Sequence, residues 1–229
     1  MLFKHKKHVF FDLDHTLWDF EMNSKLAYQQ LFEELNLDIN LDLFLEVYVP
    51  ANFAFWKLYR EEKITQEELR YQRLKSVFDQ LNFSCSDDLI HKIAFRYIDL
   101  LPSNNHLYPG AIELLEFLYP NYQLHIITNG FADVQNRKLI KSGLIKYFHT
   151  ITNSEDAGVK KPHPLIFEKA LSKAQALISD SLMIGDSLEA DILGAHQMDL
   201  DTIFFNEHRI VHEVKTHEVF HLNEICFLF

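Results

Sequence analysis

Two aspartates, Asp12 and Asp14, follow a short apolar run near the start of the chain. Residues two apart in an extended chain point to the same side, so both carboxylates can face one reacting centre. Two ionised carboxylates repel each other there unless a cation compensates them. A divalent cation would keep one carboxylate deprotonated as a nucleophile and leave the other to carry a proton as an acid. The pair suits phosphoryl transfer, although Asp-rich turns and caps produce the same spacing.

A second acidic cluster follows a later apolar run, where Asp186 comes directly after Gly185 and Asp191 lies five residues beyond Asp186. Carboxylate oxygens suit Mg²⁺, which keeps several waters and takes only one or two carboxylates from a protein. Asp186 at the end of a strand and Asp191 one turn into the next helix can both approach one ion. Glu189, between them, is expected to be an exposed helix residue.

Two further clusters could bind an anion. Thr128, Asn129 and Gly130 lie at a predicted strand-to-helix junction, where main-chain N–H groups bind anions. The alternative is that Thr128 or Asn129 only caps the following helix. Lys161 offers a point charge that suits a phosphate. The alternatives are that it is a solvated loop residue, or that its neighbour Lys160 is the relevant cation.

The elements that must position these clusters are short apolar runs alternating with helical patterns. Continuous apolar runs are typical of strands buried on both faces of a parallel sheet. Strands are predicted at 8–13, 123–128, 149–153, 181–185 and 201–205, helices between them at 110–118, 132–142, 164–176 and 188–196, and one more short element is possible at 211–222. This alternation predicts an α/β fold with a doubly wound parallel sheet. All four clusters then lie at carboxyl ends of strands, where such sheets bind ligands.

The stretch 20–107 breaks this rhythm, because its patterns are helical and contain no convincing strand. Thr65 opens a capping-box pattern at the start of one of these helices, and Pro50 predicts a break or a kink in another. We therefore predict an α/β core formed by residues 1–19 and 108–229. Residues 20–107 are predicted to form an inserted, all-helical domain.

Composition limits the classes of function. The 229 residues carry a formal net charge of -11, which disfavours binding of nucleic acid polymers, since that requires Lys and Arg to neutralise phosphates. An anionic substrate therefore needs a site that overcomes the overall field. No apolar stretch approaches the ~18 residues of a spanning helix, so no membrane association is expected. The two cysteines, Cys85 and Cys226, are far apart, which favours reduced thiols and a cytoplasmic location.

Taken in order, the four clusters resemble the motifs of the haloacid dehalogenase (HAD) superfamily. The resemblance covers residues 8–20 and 108–205, and the helical stretch occupies the position of that family's cap. His15 is a departure, because many relatives have glycine after the second aspartate; it is either a substrate contact or a structural residue. The matching residues are Asp12, Asp14 and Thr16 for DxDx[TV], Thr128 in IITNG, Lys161 in VKKPHPLIF, and Asp186 and Asp191 for GDxxxxD.

This resemblance implies a Mg²⁺-dependent phosphohydrolase. Asp12 would attack phosphorus and become an aspartyl phosphate. Asp14 would protonate the leaving oxygen and then deprotonate the water that hydrolyses the intermediate. Mg²⁺ would be held by Asp12, the main-chain carbonyl of Asp14, Asp186 and Asp191. The phosphoryl group would be bound and its charge offset by Thr128, Asn129, Gly130 and Lys161.

A closer resemblance, through IITNGF, KPHPLIF, GDSLEADILGA and FFDLDHTLWDF, is to bacterial pyrimidine 5′-nucleotidases. It implies a nucleoside monophosphate as substrate. Bases could stack on aromatic side chains, each worth roughly 1–3 kcal/mol in comparable sites, or these side chains could be core. The candidates are Trp18, Phe53, Phe55 and Trp56.

Other functions stay open on the sequence. One alternative is a phosphatase for phosphoglycolate or another small phosphorylated metabolite, and another is a phosphomutase. A different class is a non-catalytic binding protein that keeps the fold. Asp14 disfavours a dehalogenase, because a halide leaving group needs no proton. We expect the helical domain to close over the site through hinges near residues 18–20 and 103–108.

Overall fold

The computed structural model describes residues 2–229, which form two compact units. The α/β unit contains the described residues up to Phe20 together with Asn105–Phe229, and the helical unit is Glu21–Asn104. The assignment of these two parts as separate domains stays a prediction. None of the helices in the described part of the chain combines the length and the apolar character needed to cross a membrane.

Four helices account for most of the helical unit. Thr65 caps α3, because its hydroxyl accepts from the N–H of Glu68 at 3.2 Å while the Glu68 carboxylate accepts from the N–H of Thr65 at 2.7 Å. The helix that contains Pro50 continues through it, so a break there is excluded. The four helices are α1 (Phe20–Glu34), α2 (Leu41–Arg60), α3 (Gln66–Gln80) and α4 (Asp87–Leu100).

The interior of the helical unit is aromatic and contains one buried guanidinium. Tyr28 stacks on Tyr97 with 4.3 Å between the ring centroids. Arg73 is 3% exposed and donates to the side-chain oxygen of Asn52 at 2.6 Å. Its guanidinium also lies 5.3 Å from the ring centroid of Tyr48, a cation–π distance. Tyr28, Tyr48 and Tyr97 are therefore core residues of this unit.

A six-stranded parallel sheet forms the centre of the α/β unit, in the order β3-β2-β1-β4-β5-β6. The order reverses between β1 and β4, which makes the sheet doubly wound and confirms the predicted fold class. The strands are β1 (His8–Phe11), β2 (Gln123–Thr128), β3 (Phe148–Asn153), β4 (Ser181–Gly185), β5 (Asp201–Phe205) and β6 (His217–Val219). The first five lie where the sequence predicts strands, and β6 occupies the tail.

Apolar runs specify the inner strands because both faces of the sheet are covered. Val9, Phe10 and Phe11 of β1 are fully buried. Phe10 pairs in register with Met183 of β4, and both belong to one core cluster with residues of the helix Pro164–Ala174. Burial of each such side chain contributes about 1.5–3 kcal/mol. The helices of this unit are α5 (Ala111–Leu118), α6 (Ala132–Lys141), α7 (Ser154–Ala157), α8 (Pro164–Ala174) and α9 (Gly194–His196), with a π-helical turn at Leu188–Leu193.

Candidate active site

The site is built where β2, β1 and β4 end side by side. Asp12 directly follows β1, and its N–H still donates to the carbonyl of Ile184 in β4 at 2.9 Å. Thr128 is the last residue of β2, and Asp186 directly follows β4. Parallel neighbours therefore bring residues that are far apart in sequence to one edge of the sheet.

Three carboxylates meet at this edge: oxygens of Asp12, Asp186 and Asp191 lie within 4.8 Å of one another. The hydroxyl of Thr16 donates to Asp186 at 3.2 Å, and a main-chain N–H donates to Asp191 at 3.0 Å. Gly185 leaves the room for this, because a Cβ there would lie 2.3 Å from an oxygen of Asp191. The structure thus brings together three residues that the sequence predicts as metal ligands.

Lys161 is the cation of this cluster. Its ammonium donates to Asp12 at 2.5 Å, to Asp191 at 2.6 Å and to the carbonyl of Ile127 at 2.7 Å. Burial disfavours its charged form, yet the two carboxylates raise the pKa of Lys161 above its ordinary value. Lys160, the rival candidate, is half-buried, whereas Lys161 is 2% exposed.

The charges of the cluster do not balance. Burial raises the pKa of Asp12 from 3.8 to about 7, against the lowering effect of Lys161 and with a further rise from Asp191. Burial and then Asp12 raise the pKa of Asp186 well above its usual range. Three carboxylates share one ammonium, so a divalent cation would complete the charge, and an all-oxygen donor set of this kind fits Mg²⁺.

Asp14 has different partners. One of its oxygens accepts from the ammonium of Lys138 at 2.6 Å, and the other accepts from the amide of Gln135 at 2.9 Å. Both partners lie on α6, three residues apart, and both are buried. Sequence reasoning missed them. The available signal was that two polar residues stand on the same buried face as Val134 and Leu139.

The hydroxyl of Thr128 can donate a hydrogen bond to a ligand. Its oxygen accepts from the N–H of Gly130 at 3.1 Å and from the amide of Gln135 at 2.7 Å. A hydroxyl that accepts twice keeps its own O–H as a donor. The residue that caps α6 is Phe131, so the alternative in which Thr128 or Asn129 caps this helix is wrong.

Asn129 and Gly130 determine the structure of the loop that follows β2. The side chain of Asn129 brackets the main chain of Lys161, accepting from its N–H at 2.7 Å and donating to its carbonyl at 2.9 Å. This side chain therefore holds the lysine in place. Gly130 makes room for Gln135, because a Cβ on it would lie 2.4 Å from the amide carbon of Gln135.

His15 and Trp18 lie in the segment that follows β1. His15 has φ of 64°, in the left-handed region that favours glycine. Burial lowers the pKa of His15 to about 4, so the ring is neutral, and it lies 4.9 Å from the ring of Phe20. Trp18 is fully buried beneath the ammonium of Lys138, so of its two alternatives the core position is correct and stacking on a base is excluded.

Comparison with known proteins identifies a matching hydrolase family, similar nucleotidases and a similar crystal structure. Residues 6–199 match the family described as haloacid dehalogenase-like hydrolases. The chain is 34% identical to pyrimidine 5′-nucleotidase PynA of Streptococcus pneumoniae, over 96% of this chain and 93% of that protein. It is 33% identical to pyrimidine 5′-nucleotidase YjjG of Escherichia coli, over 87% and 86%. The crystal structure of the HAD-hydrolase YfnB from Bacillus subtilis, bound to magnesium, superposes with a TM-score of 0.88 at 29% identity, covering 97% and 98% of the two chains.

Proposed function

The chain belongs to the haloacid dehalogenase-like hydrolase family and is a phosphatase of that family, and we propose that it is a Mg²⁺-dependent 5′-nucleotidase for pyrimidine nucleoside monophosphates. The observation that carries this proposal is the cluster of Asp12, Asp186 and Asp191 around the ammonium of Lys161. This cluster combines a nucleophile, candidate metal ligands and a fixed cation at the edge of the sheet where the strand order reverses, between β1 and β4.

Asp12, Asp186 and Asp191 would hold Mg²⁺, together with the main-chain carbonyl of Asp14. Bound there, Mg²⁺ would offset the negative charge of the carboxylates and of the phosphate, so that an anionic nucleophile and an anionic ester can approach each other. The excess of carboxylates over ammonium groups in the cluster supports this cofactor. The magnesium-bound structure of YfnB supports it as well.

The reaction has two displacements at phosphorus. The carboxylate of Asp12 forms a bond to phosphorus while the bond to the ester oxygen breaks, and Asp14 gives that oxygen a proton. A water molecule then attacks the phosphorylated Asp12, its proton passes to Asp14, and phosphate leaves. Thr128 would donate its free O–H to a phosphoryl oxygen, and the main chain at Asn129 and Gly130 would bind the others. Lys161 would stabilise charge that develops next to Asp12.

The substrate assignment rests on the two nucleotidases that the chain resembles. In the helical unit, α2 carries aromatic side chains that remain candidates for stacking on the base. Phe53 is 46% exposed, and Phe55 and Trp56 are half-buried. A pyrimidine offers a π-face to such side chains, whereas phosphoglycolate does not.

Phosphate release tests the proposal directly. Pyrimidine and purine nucleoside monophosphates, phosphoglycolate and a hexose phosphate would be compared with Mg²⁺ and with EDTA. We expect Mg²⁺-dependent turnover with a preference for the pyrimidine nucleotides. Asp12→Asn should lower turnover by roughly a thousandfold or more, while Asp199→Asn, a matched change at an exposed position, should leave it unchanged.

Two further outcomes separate the alternatives. Rapid acid quenching of the wild type during turnover should trap phosphate on the peptide that contains Asp12. Turnover of phosphoglycolate with little turnover of nucleotides would reject the nucleotidase assignment and keep the phosphatase mechanism. A folded, metal-loaded protein that hydrolyses none of these esters would reject the hydrolase function and favour a mutase or a binding protein.

The aromatic side chains of α2 can be tested separately. Phe53→Ala should raise the KM for a pyrimidine nucleotide by roughly tenfold, the equivalent of about 1.4 kcal/mol, which lies within the roughly 1–3 kcal/mol that stacking on one base provides. It should leave the KM for p-nitrophenyl phosphate unchanged. Phe95→Ala is the matched control, because Phe95 is 80% exposed in the same unit. Equal behaviour of the two variants would remove Phe53 from the substrate site.

A further inference from the structure

The buried ammonium of Lys138 has no direct part in the two displacements at phosphorus. We propose that Lys138 is a positioning residue that fixes the carboxylate of Asp14 for its proton transfers, above all for the hydrolysis of phosphorylated Asp12. The inference rests on the proposed function, because it concerns a step of that reaction.

The contacts leave the Asp14 carboxylate little freedom to rotate. Lys138 donates to one oxygen at 2.6 Å, and Gln135 donates to the other at 2.9 Å. The same amide nitrogen of Gln135 also donates to Thr128 at 2.7 Å, which ties the carboxylate to the end of β2. One face of α6 thus sets the direction of both carboxylate oxygens.

Lys138 is itself held in place. Its side chain is 2% exposed, and its ammonium lies 4.2 Å from the ring centroid of Trp18 and 5.3 Å from that of Phe20. Burial lowers the pKa of Lys138, whereas the Asp14 carboxylate and cation–π contacts at these distances favour the charged ammonium. Trp18 is anchored by main-chain hydrogen bonds to Leu13 at 2.9 Å and from His15 at 3.0 Å. The Asp14 carboxylate and its cation therefore share one rigid support.

Burying a lysine this deeply destabilises the fold unless the interaction with its partner carboxylate compensates for the lost hydration. A methionine of similar volume would fill the space over Trp18 without that cost, so packing alone does not account for the ammonium. The role that fits its contacts is orientation of Asp14. In the second displacement, the water oxygen bonds to phosphorus, the bond from phosphorus to Asp12 breaks with its electrons returning to Asp12, and the water proton passes to Asp14. A carboxylate that has lost one of its two donors occupies the productive orientation less often.

p-Nitrophenyl phosphate can separate the two displacements, because its leaving group needs no proton. p-Nitrophenolate leaves without a proton, so kcat/KM for p-nitrophenyl phosphate reports phosphorylation of Asp12 without the acid. Its kcat includes hydrolysis of the phosphorylated enzyme, which needs Asp14 as base. Lys138→Met should therefore lower kcat for this substrate by roughly 10–100-fold and leave kcat/KM within about threefold. A burst of about one p-nitrophenolate per site should precede the slow phase. With a nucleotide substrate, kcat/KM should fall as well.

Lys141→Met is the matched control, since Lys141 is an exposed lysine on the same helix, and it should behave as the wild type. If Lys138→Met does not fold, Lys138→Arg can be measured instead, because it keeps the positive charge but displaces the hydrogen-bond donors. We then expect a smaller fall in kcat for p-nitrophenyl phosphate, again with little change in kcat/KM. A parallel fall of kcat and kcat/KM for p-nitrophenyl phosphate, or no change in either, would overturn the positioning role. A wild type that never phosphorylates Asp12 would instead reject the proposed function, and this inference with it.

Discussion

Without a metal ion, the folded protein should lose stability as the pH rises through the range in which Asp12 gives up its proton. Burial raises the pKa of Asp12 from 3.8 to about 7, even though Lys161 acts in the opposite direction. Between those two values the folded chain binds a proton that the unfolded chain has lost. The stabilisation is therefore complete below pH ~4 and disappears as the pH passes ~7.

The size of the effect follows from the same two values. A difference of about 3 pKa units corresponds to roughly 4 kcal/mol, at about 1.4 kcal/mol per unit. About 2 kcal/mol of this lies between pH 5 and pH 7. Asp186, whose pKa is raised by burial and by Asp12, adds to the loss in the same direction. Mg²⁺ binds the ionised carboxylates, so the stabilisation that it provides should grow over the same range.

Urea unfolding in EDTA at pH 5, 6, 7 and 8 would measure this dependence. The comparison is between the wild type, Asp12→Asn, which lacks the titrating group, and the exposed control Asp199→Asn. We expect the free energy of unfolding of the wild type to fall with pH more steeply than that of Asp12→Asn, by about 2 kcal/mol between pH 5 and pH 7. Asp199→Asn should follow the wild type. Parallel pH profiles for the wild type and Asp12→Asn would refute the assignment of a raised pKa to Asp12.

Three further changes test how the site and its scaffold are built. Thr16→Val removes the hydroxyl that donates to Asp186 at 3.2 Å and should weaken Mg²⁺ binding by roughly 10–100-fold in titration calorimetry; unchanged affinity would exclude this support. Gly185→Ala places a Cβ 2.3 Å from a carboxylate oxygen of Asp191, so kcat should fall about tenfold or more with the circular dichroism unchanged, and full activity would show that Asp191 can move at no cost. Thr65→Ala breaks the capping box of α3 and should cost about 1 kcal/mol in urea unfolding without affecting kcat, whereas equal stability would contradict the capping role.

The sequence predicted the strands well because the inner strands are specified by local composition. β2, β4 and β5 have the predicted bounds, since each is buried on both faces, apart from the exposed first residues of β2 and β5. β1 is shorter than predicted. Its apolar run extends to Leu13, which is buried, but the strand ends at Phe11. Apolar patterning reports burial and cannot locate the end of a strand within a buried segment.

The contacts between α6 and Asp14 could not be predicted from the sequence for a different reason. Gln135 and Lys138 meet Asp14 across more than a hundred residues of chain, 121 and 124 positions apart. Their polarity alone is typical of a solvated helix face. They share this face with Val134 and Leu139, but only the tertiary structure shows that the whole face is buried and meets Asp14. The role of Asn129 in holding Lys161 was hidden in the same way, because it depends on the meeting of two loops.

The two aspartates that open the site show why spacing could not assign their environments. Residues two apart in an extended chain point to the same side, but this does not determine which charged groups each side chain contacts. The carboxylate of Asp12 lies beside Lys161 in a cluster with excess negative charge, while that of Asp14 joins Lys138 in a pair with none. A cation is drawn to the first environment and has no electrostatic reason to enter the second. Two identical side chains thus acquire different chemistry from the lysines that tertiary structure places beside them.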